Sequence, residues 1–135
     1  MTRNASSSQQ LALFSEVPNA PKAVGPYSPA VAANGFLFLS GQVGLNPSSG
    51  TLVEGGVSEQ AKQALQNLKS VLIHCGSSLD KVVKTTIFLS SMGDFQVVNQ
   101  VYSEAMGSHR PARSTFAVAG LPLGALVEIE MIAVT

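Results

Sequence analysis

The sequence predicts an α+β domain, a mixed β-sheet with two helices packed on one face. The order of elements carries that prediction, and two composition values bear on how the sheet is covered. Hydrophobic periodicity switches along the chain in the order strands, helix, strand, helix, then two strands. Charged residues make up only 12% of the 135 residues, about half of the roughly 25% usual for soluble domains. Mean hydropathy is +0.26, yet the apolar run around Phe36 to Leu39 is far too short to cross a bilayer. With both helices on one face and little charge for the other, a partner subunit is the expected cover. The plainer alternative is a monomer that covers itself with Ser, Thr, Gln and Gly.

Eight Lys and Arg balance eight Asp and Glu, so neither nucleic acid nor an anionic membrane is an expected partner. The single cysteine, Cys75, excludes an intramolecular disulfide and a Cys-rich metal site. It falls on the apolar stripe of a predicted helix and reads as a buried, inert thiol. The opening MTRNASSSQQ is polar and leads only to LALF, which is not a secretory signal. Its serines, Arg3 and the lack of an acidic residue before Glu16 also fit a weak organelle-import segment. The expectation is a disordered tail over residues 1–9, one domain over 10–135 and a cytoplasmic protein.

Leu11 to Val17 reads as a short first strand. VPNAPKAVGPYSPAV follows, where four prolines forbid regular structure and hold Tyr27 in a shaped loop. Tyr27 is there either for packing or to present its hydroxyl to a pocket. Asn34-Gly35 predicts a primed hairpin turn between Val31–Ala33 and FLFLSGQVGL. The second arm is nearly continuous in apolar residues, as a strand covered on both faces would be. Ser40-Gly41 interrupts it and suggests a bulge that leaves the Ser40 hydroxyl free to bond. A further short strand is expected at Thr51 to Glu54.

Residues 58–75 give the clearest helix, with Ser58 as cap and Glu59 in the first turn. Ala61, Ala64, Leu65, Leu68, Leu72 and Cys75 recur at three- and four-residue spacing, and Gly76 supplies the stop. KVVKTTIFLSS, residues 81–91, is β-branched and predicts a strand. Asp94 is the expected cap of a second helix that buries Phe95, Val98, Tyr102 and Ala105 and ends at Gly107. Asn99 lies near that face, either solvated or bonding across a contact.

The last stretch, RPARSTFAVAGLPLGALVEIEMIAVT, reads as two strands joined by a turn. Alternation puts Arg113 and Thr115 on one face of the first strand. It puts Glu128 and Glu130 on the apolar side of the second. Buried carboxylates are costly unless they are paired. One reading is an Arg–Glu pair across a hairpin. The other has Arg113 receive a substrate carboxylate as a two-pronged fork while Glu128 or Glu130 holds a water or moves a proton.

PARSTFAVAGLPLGALVEIEMIAV closely resembles the signature of the RidA/YjgF family of enamine/imine deaminases. The likeness runs from about Pro21 to the C-terminus through AVGPYSPAV, FLFLSGQVGLNPSSG, SEQAKQAL, KVVKTTIFL and DFQVVNQVYSEAM. It implies a chorismate-mutase-like α+β fold and a homotrimer with sites in the clefts between subunits. It implies hydrolysis of 2-imino acids such as 2-iminopropanoate and 2-iminobutanoate, with no metal or cofactor. By position, Arg113 is similar to the family's carboxylate-binding arginine and Glu128 to its water-positioning glutamate. Tyr27, Ser40, Asn99 and the main chain at Thr115 match the remaining pocket residues, and Glu130 is left structural. Two departures stand out. Many members carry Cys where this chain has Thr115, and the GSHRP segment is shorter than in some. The family is also labelled as an RNA-cleaving translation inhibitor, which neutral charge and only two histidines, His74 and His109, support poorly. A non-catalytic chaperone or metabolite-binding trimer is a third reading.

Overall fold

The computed structural model describes residues 11–135; the expected tail over residues 1–9 lies outside the described residues. The described chain runs through β1 (Ala12–Phe14), β2 (Ala30–Ala33), β3 (Phe36–Val43), α1 (Gly56–His74), β4 (Val82–Leu89), α2 (Phe95–Met106), β5 (Ala112–Ala117) and β6 (Val127–Val134). Single 3₁₀ turns precede β4, α2 and β6. Asn34 and Gly35 take φ of 52° and 81°, both positive as a two-residue primed turn requires. They close the β2–β3 hairpin in the expected register, Val31 opposite Phe38 and Ala33 opposite Phe36.

The six strands form one sheet in the order β1-β2-β3-β6-β4-β5, with β4–β5 parallel and the other pairs antiparallel. The helix α2 makes the crossover that a parallel β4–β5 pair demands. The hairpin reading of the C-terminal stretch is therefore overturned. β6 sits between β3 and β4, and β5 is the edge strand beyond β4. Residues 118–126 are a long connection that carries the chain past β4, not a tight turn.

Both helices lie on one sheet face, where Leu37, Leu68, Leu72, Ile87, Leu89 and Ile129 are fully buried. Among the described residues no helix covers the other, open face. On β3, Leu37 and Leu39 point into the core while Phe36 and Phe38 remain 43% and 45% exposed. The expected cover on both faces of β3 is thus not supplied by the described residues, among which no helix reaches its second face.

Four local expectations are corrected. The cap of α1 is Gly55 at φ 112°, with Ser58 inside the first turn. Asp94 sits at the cap of α2 but makes no side-chain capping bond; Ser91 Oγ instead accepts from the Gly93 N–H at 3.1 Å. Ala105 is exposed, and Val101 and Met106 take its place on the buried face. At Thr51 to Glu54 there is only the single bridge Leu45–Leu52.

Polar residues tie α1 to the end of β3. Asn67 Nδ2 donates to the carbonyls of Val43 and Leu45 at 3.4 and 2.9 Å, and Gln60 Oε1 accepts from the Leu126 N–H at 2.9 Å. The approach is close enough that a Cβ on Gly44 would lie 2.6 Å from Gln60 Cα. These bonds fix the backbone on which the open-face cavity is built.

Candidate functional site

The expected site residues fall into two clusters. The first sits where α2 meets β5. Phe95, Asn99 and Tyr102 recur at helical spacing and line one face of α2. Arg113 reaches that face from β5. Its guanidinium carbon lies 5.1 Å from the Tyr102 ring centroid and 5.7 Å from that of Phe95, within cation–π range. Its Nη1 donates to Asn99 Oδ1 at 2.7 Å. No carboxylate pairs with it; among the described residues the ion pair found within 4 Å joins Lys62 to Glu59. Asn99, Tyr102, Ser103, Arg110, Pro111 and Arg113 line a small hollow there. Thr115 lies two residues along on the same face, and its buried Oγ1 has no hydrogen-bond partner.

The second cluster lies on the open face. A β-bulge shifts the β3–β6 register between Leu39 and Gln42, as Ser40-Gly41 suggested. Ser40 Oγ donates to the Ser28 carbonyl at 2.6 Å, so its proton is already engaged and only lone pairs remain for a ligand. Tyr27, 47% exposed, accepts from the Val24 N–H at 3.3 Å through its phenolic oxygen. Tyr27, Ser40, Gly41, Leu123, Glu128 and Glu130 share the wall of a cavity of about 380 Å³. A Cβ on Gly41 would lie 2.9 Å from Glu128 Cδ, so the glycine makes room for the carboxylate. Burial pushes the Glu128 carboxyl above its ordinary 4.5, and the charge of Glu130 pushes it the same way.

The two clusters do not meet within one chain. Arg113 is in register with Thr85, which is in register with Met131 of the buried face. Glu128 and Glu130 pair with Phe88 and Thr86, at the alternate positions. Arg113, Thr115 and Asn99 thus belong to the helix side, and Tyr27, Ser40, Glu128 and Glu130 to the open side.

Several neighbours escaped the sequence reading. Phe95 and Tyr102 were legible as a helical stripe but carried no sign that a cation lies on them. Thr85 looked like one β-branched residue among several. Leu123 adopts φ 60° at the cavity lip, a conformation that costs a side-chain-bearing residue roughly 1–2 kcal/mol; its neighbours Pro122 and Gly124 marked only a turn. Among the described residues, no group of three His, Cys, Asp or Glu side chains converges to hold a metal ion. No helix among them is long and apolar enough to cross a membrane.

The family model described as Endoribonuclease L-PSP matches residues 17–135. A mouse protein named 2-iminobutanoate/2-iminopropanoate deaminase is 53% identical over 115 residues, covering 85% of this chain and 85% of its own. A solved L-PSP structure from Entamoeba histolytica superposes with a TM-score of 0.90 at 50% identity, covering 93% of this chain and 100% of that one. E. coli TdcF with bound serine superposes with a TM-score of 0.85 at 35% identity, covering 90% and 98%.

Proposed function

Because the chain belongs to the Endoribonuclease L-PSP family, the RidA/YjgF proteins, we propose that it hydrolyses 2-imino acids and their enamine tautomers to 2-oxo acids and ammonia. Its substrates are 2-iminopropanoate and 2-iminobutanoate, the compounds for which its mouse relative is named. One observation carries the assignment of the binding group. Arg113 is a partly buried guanidinium, set against two rings and one amide, with no carboxylate of its own. Such a cation is an unfilled receptor for a small carboxylate. That TdcF holds serine, itself an amino acid, supports the same reading.

In the proposed reaction Arg113 grips the substrate carboxylate and the main chain at Thr115 bonds the imine nitrogen. Glu128 takes a proton from water as the water oxygen attacks the C=N carbon. The C–O bond forms while the π pair moves to nitrogen, giving a carbinolamine. Glu128 hands that proton to the nitrogen. The carbinolamine hydroxyl proton then passes through Glu128 to the amine as the C=O bond forms, the C–N bond breaks and ammonia leaves. No electrons are transferred, and the step is proposed to run without metal or cofactor. Positioning of water and substrate supplies the rate gain.

Arg113 and Glu128 lie on opposite sheet faces, so one chain does not supply both to one substrate. We therefore place the reaction in a homotrimer, where the Arg113 cluster of one protomer faces the Tyr27, Ser40 and Glu128 cavity of the next. The exposed Phe36, Phe38 and Phe116 give that assembly apolar surface to bury. The proposed setting is the cytoplasm, where dehydratases acting on serine and threonine release such enamines. RNA is not a proposed substrate, since the net charge is zero.

The test feeds serine to a dehydratase with semicarbazide as an imine trap. Wild-type protein lowers semicarbazone formation in proportion to its concentration. Arg113→Ala abolishes this, and Arg113→Lys nearly does because the planar fork is lost. Wild-type rates in either variant would refute the carboxylate assignment.

A further inference from the structure

We propose that Tyr102 and Thr85 are positioning residues for Arg113, a matched hydroxyl pair that fixes the ring on which the guanidinium rests. The proposal rests on the reading of Arg113 as the carboxylate clamp. Thr85 on β4 is the register partner of Arg113 on β5, and it is fully buried. Its Oγ1 and the Tyr102 phenolic oxygen are 2.8 Å apart, and Tyr102 is only 5% exposed. The Tyr102 ring then lies under the Arg113 guanidinium at 5.1 Å. Strand neighbour, hydroxyl pair and ring form a closed loop that begins and ends at Arg113.

Volume alone does not explain the pair. Phe95 of the same stripe packs against the same guanidinium without a hydroxyl. Two hydroxyls buried together cost desolvation that Val and Phe would avoid. Their mutual bond restricts rotation of both side chains and hence fixes the plane of the ring. Asn99, three residues before Tyr102 on the same helix face, holds Nη1 at 2.7 Å. Of the five guanidinium donors, the rest of the fork is left for a ligand. A flexible side chain held in this way loses less freedom when a carboxylate arrives. The support acts on binding, before and during the reaction alike.

The decisive variant is Thr85→Val combined with Tyr102→Phe in the full-length protein. It removes both hydroxyls at once and strands neither, so the fold is kept, as thermal unfolding verifies. KM for 2-iminopropanoate should rise about 3- to 10-fold with kcat within about twofold, the signature of binding lost equally from ground and transition states. The Arg113 Nε–H resonance, assigned by its absence in Arg113→Lys and displaced by the ring current of Tyr102, should move and broaden. Tyr102→Leu, which removes the ring itself, should raise KM by about tenfold or more, equivalent to about 1.4 kcal/mol; should it fail to fold, the double variant decides. A folded double variant with wild-type KM overturns the proposal. So does a raised KM with an unmoved resonance, because the effect would not then run through Arg113. Arg113→Ala separates the two readings. If it keeps activity, the clamp and its support both fall; if it is inactive while the double variant matches wild type, only the support falls.

Discussion

The corner between α2 and β5 and the cavity on the open face are built on opposite principles. At the corner a cation is held from three sides by uncharged groups, the Phe95 and Tyr102 rings and the Asn99 amide. In the cavity two carboxylates, Glu128 and Glu130, share an otherwise largely apolar wall that carries Lys22 but no arginine. One region has positive charge without a counter-ion, and the other has negative charge raised in pKa by burial and by its neighbour. The corner lacks a carboxylate and the cavity lacks an arginine, and the sheet separates them. A chain that folds this way is half of a site twice over, which is why the proposed chemistry needs a second copy.

The contrast sharpens if each half is perturbed without touching the other. The larger effect is expected at Gly41. Its φ lies outside the left-handed region, so alanine suits the backbone, but the new Cβ would lie 2.9 Å from Glu128 Cδ and 3.1 Å from Cγ. Gly41→Ala should displace the carboxylate and lower kcat by about 10- to 100-fold, as a misplacement near 1 Å does. Thermal stability should change little and the Arg113 Nε–H resonance should not move. A variant with wild-type kcat would show that Glu128 need not occupy that place.

A smaller effect is expected from Glu130→Gln. Glu128 must be ionised to take a proton, so the acid limb of kcat/KM should lie above 4.5. Removing the Glu130 charge deletes the second cause of the shift, and the limb should move to lower pH. Burial, the larger cause, remains, so only part of the displacement is lost. The stability contribution of Glu128 has the sign of a raised carboxyl: present below about 4.5 and lost as pH rises through the folded value. A limb that moves upward in Glu130→Gln would show that Glu130 does not act on Glu128 through its charge.

The fold was legible wherever local chemistry decides it. The Asn34-Gly35 turn, the Ser40-Gly41 bulge and the stripe from Ala61 to Leu72 each announce a geometry that few other sequences would serve. Strand adjacency was not legible, because nothing in Arg113–Ala117 or Val127–Val134 says that β4 comes between them. Caps misled for a related reason. Gly55 holds its place by a positive φ and not by a side-chain oxygen, so Ser58 looked the better candidate. For the candidate site, residue types pointed to Arg113 and to Glu128 or Glu130, and the family resemblance chose Glu128 and added Tyr27, Ser40 and Asn99. Alternation paired the two glutamates on one face, but the buried apolar face of β6 is the other one, Val127, Ile129, Met131 and Ala133. That Arg113 and Glu128 face apart follows only from the sheet order, and the support from Tyr102 and Thr85 follows only from packing across three elements.

The claim that two protomers complete one site is tested most directly by mixing two inactive proteins. Arg113→Ala keeps a whole carboxylate cavity, and Glu128→Gln keeps a whole arginine corner. Each alone should be inactive in the semicarbazide assay. Dissociated, mixed in equal amounts and reassembled, they should recover about a quarter of wild-type activity, the chance that a random cyclic interface joins an intact Arg113 to an intact Glu128. Reassembled mixtures as inactive as either parent would contradict a site shared between copies.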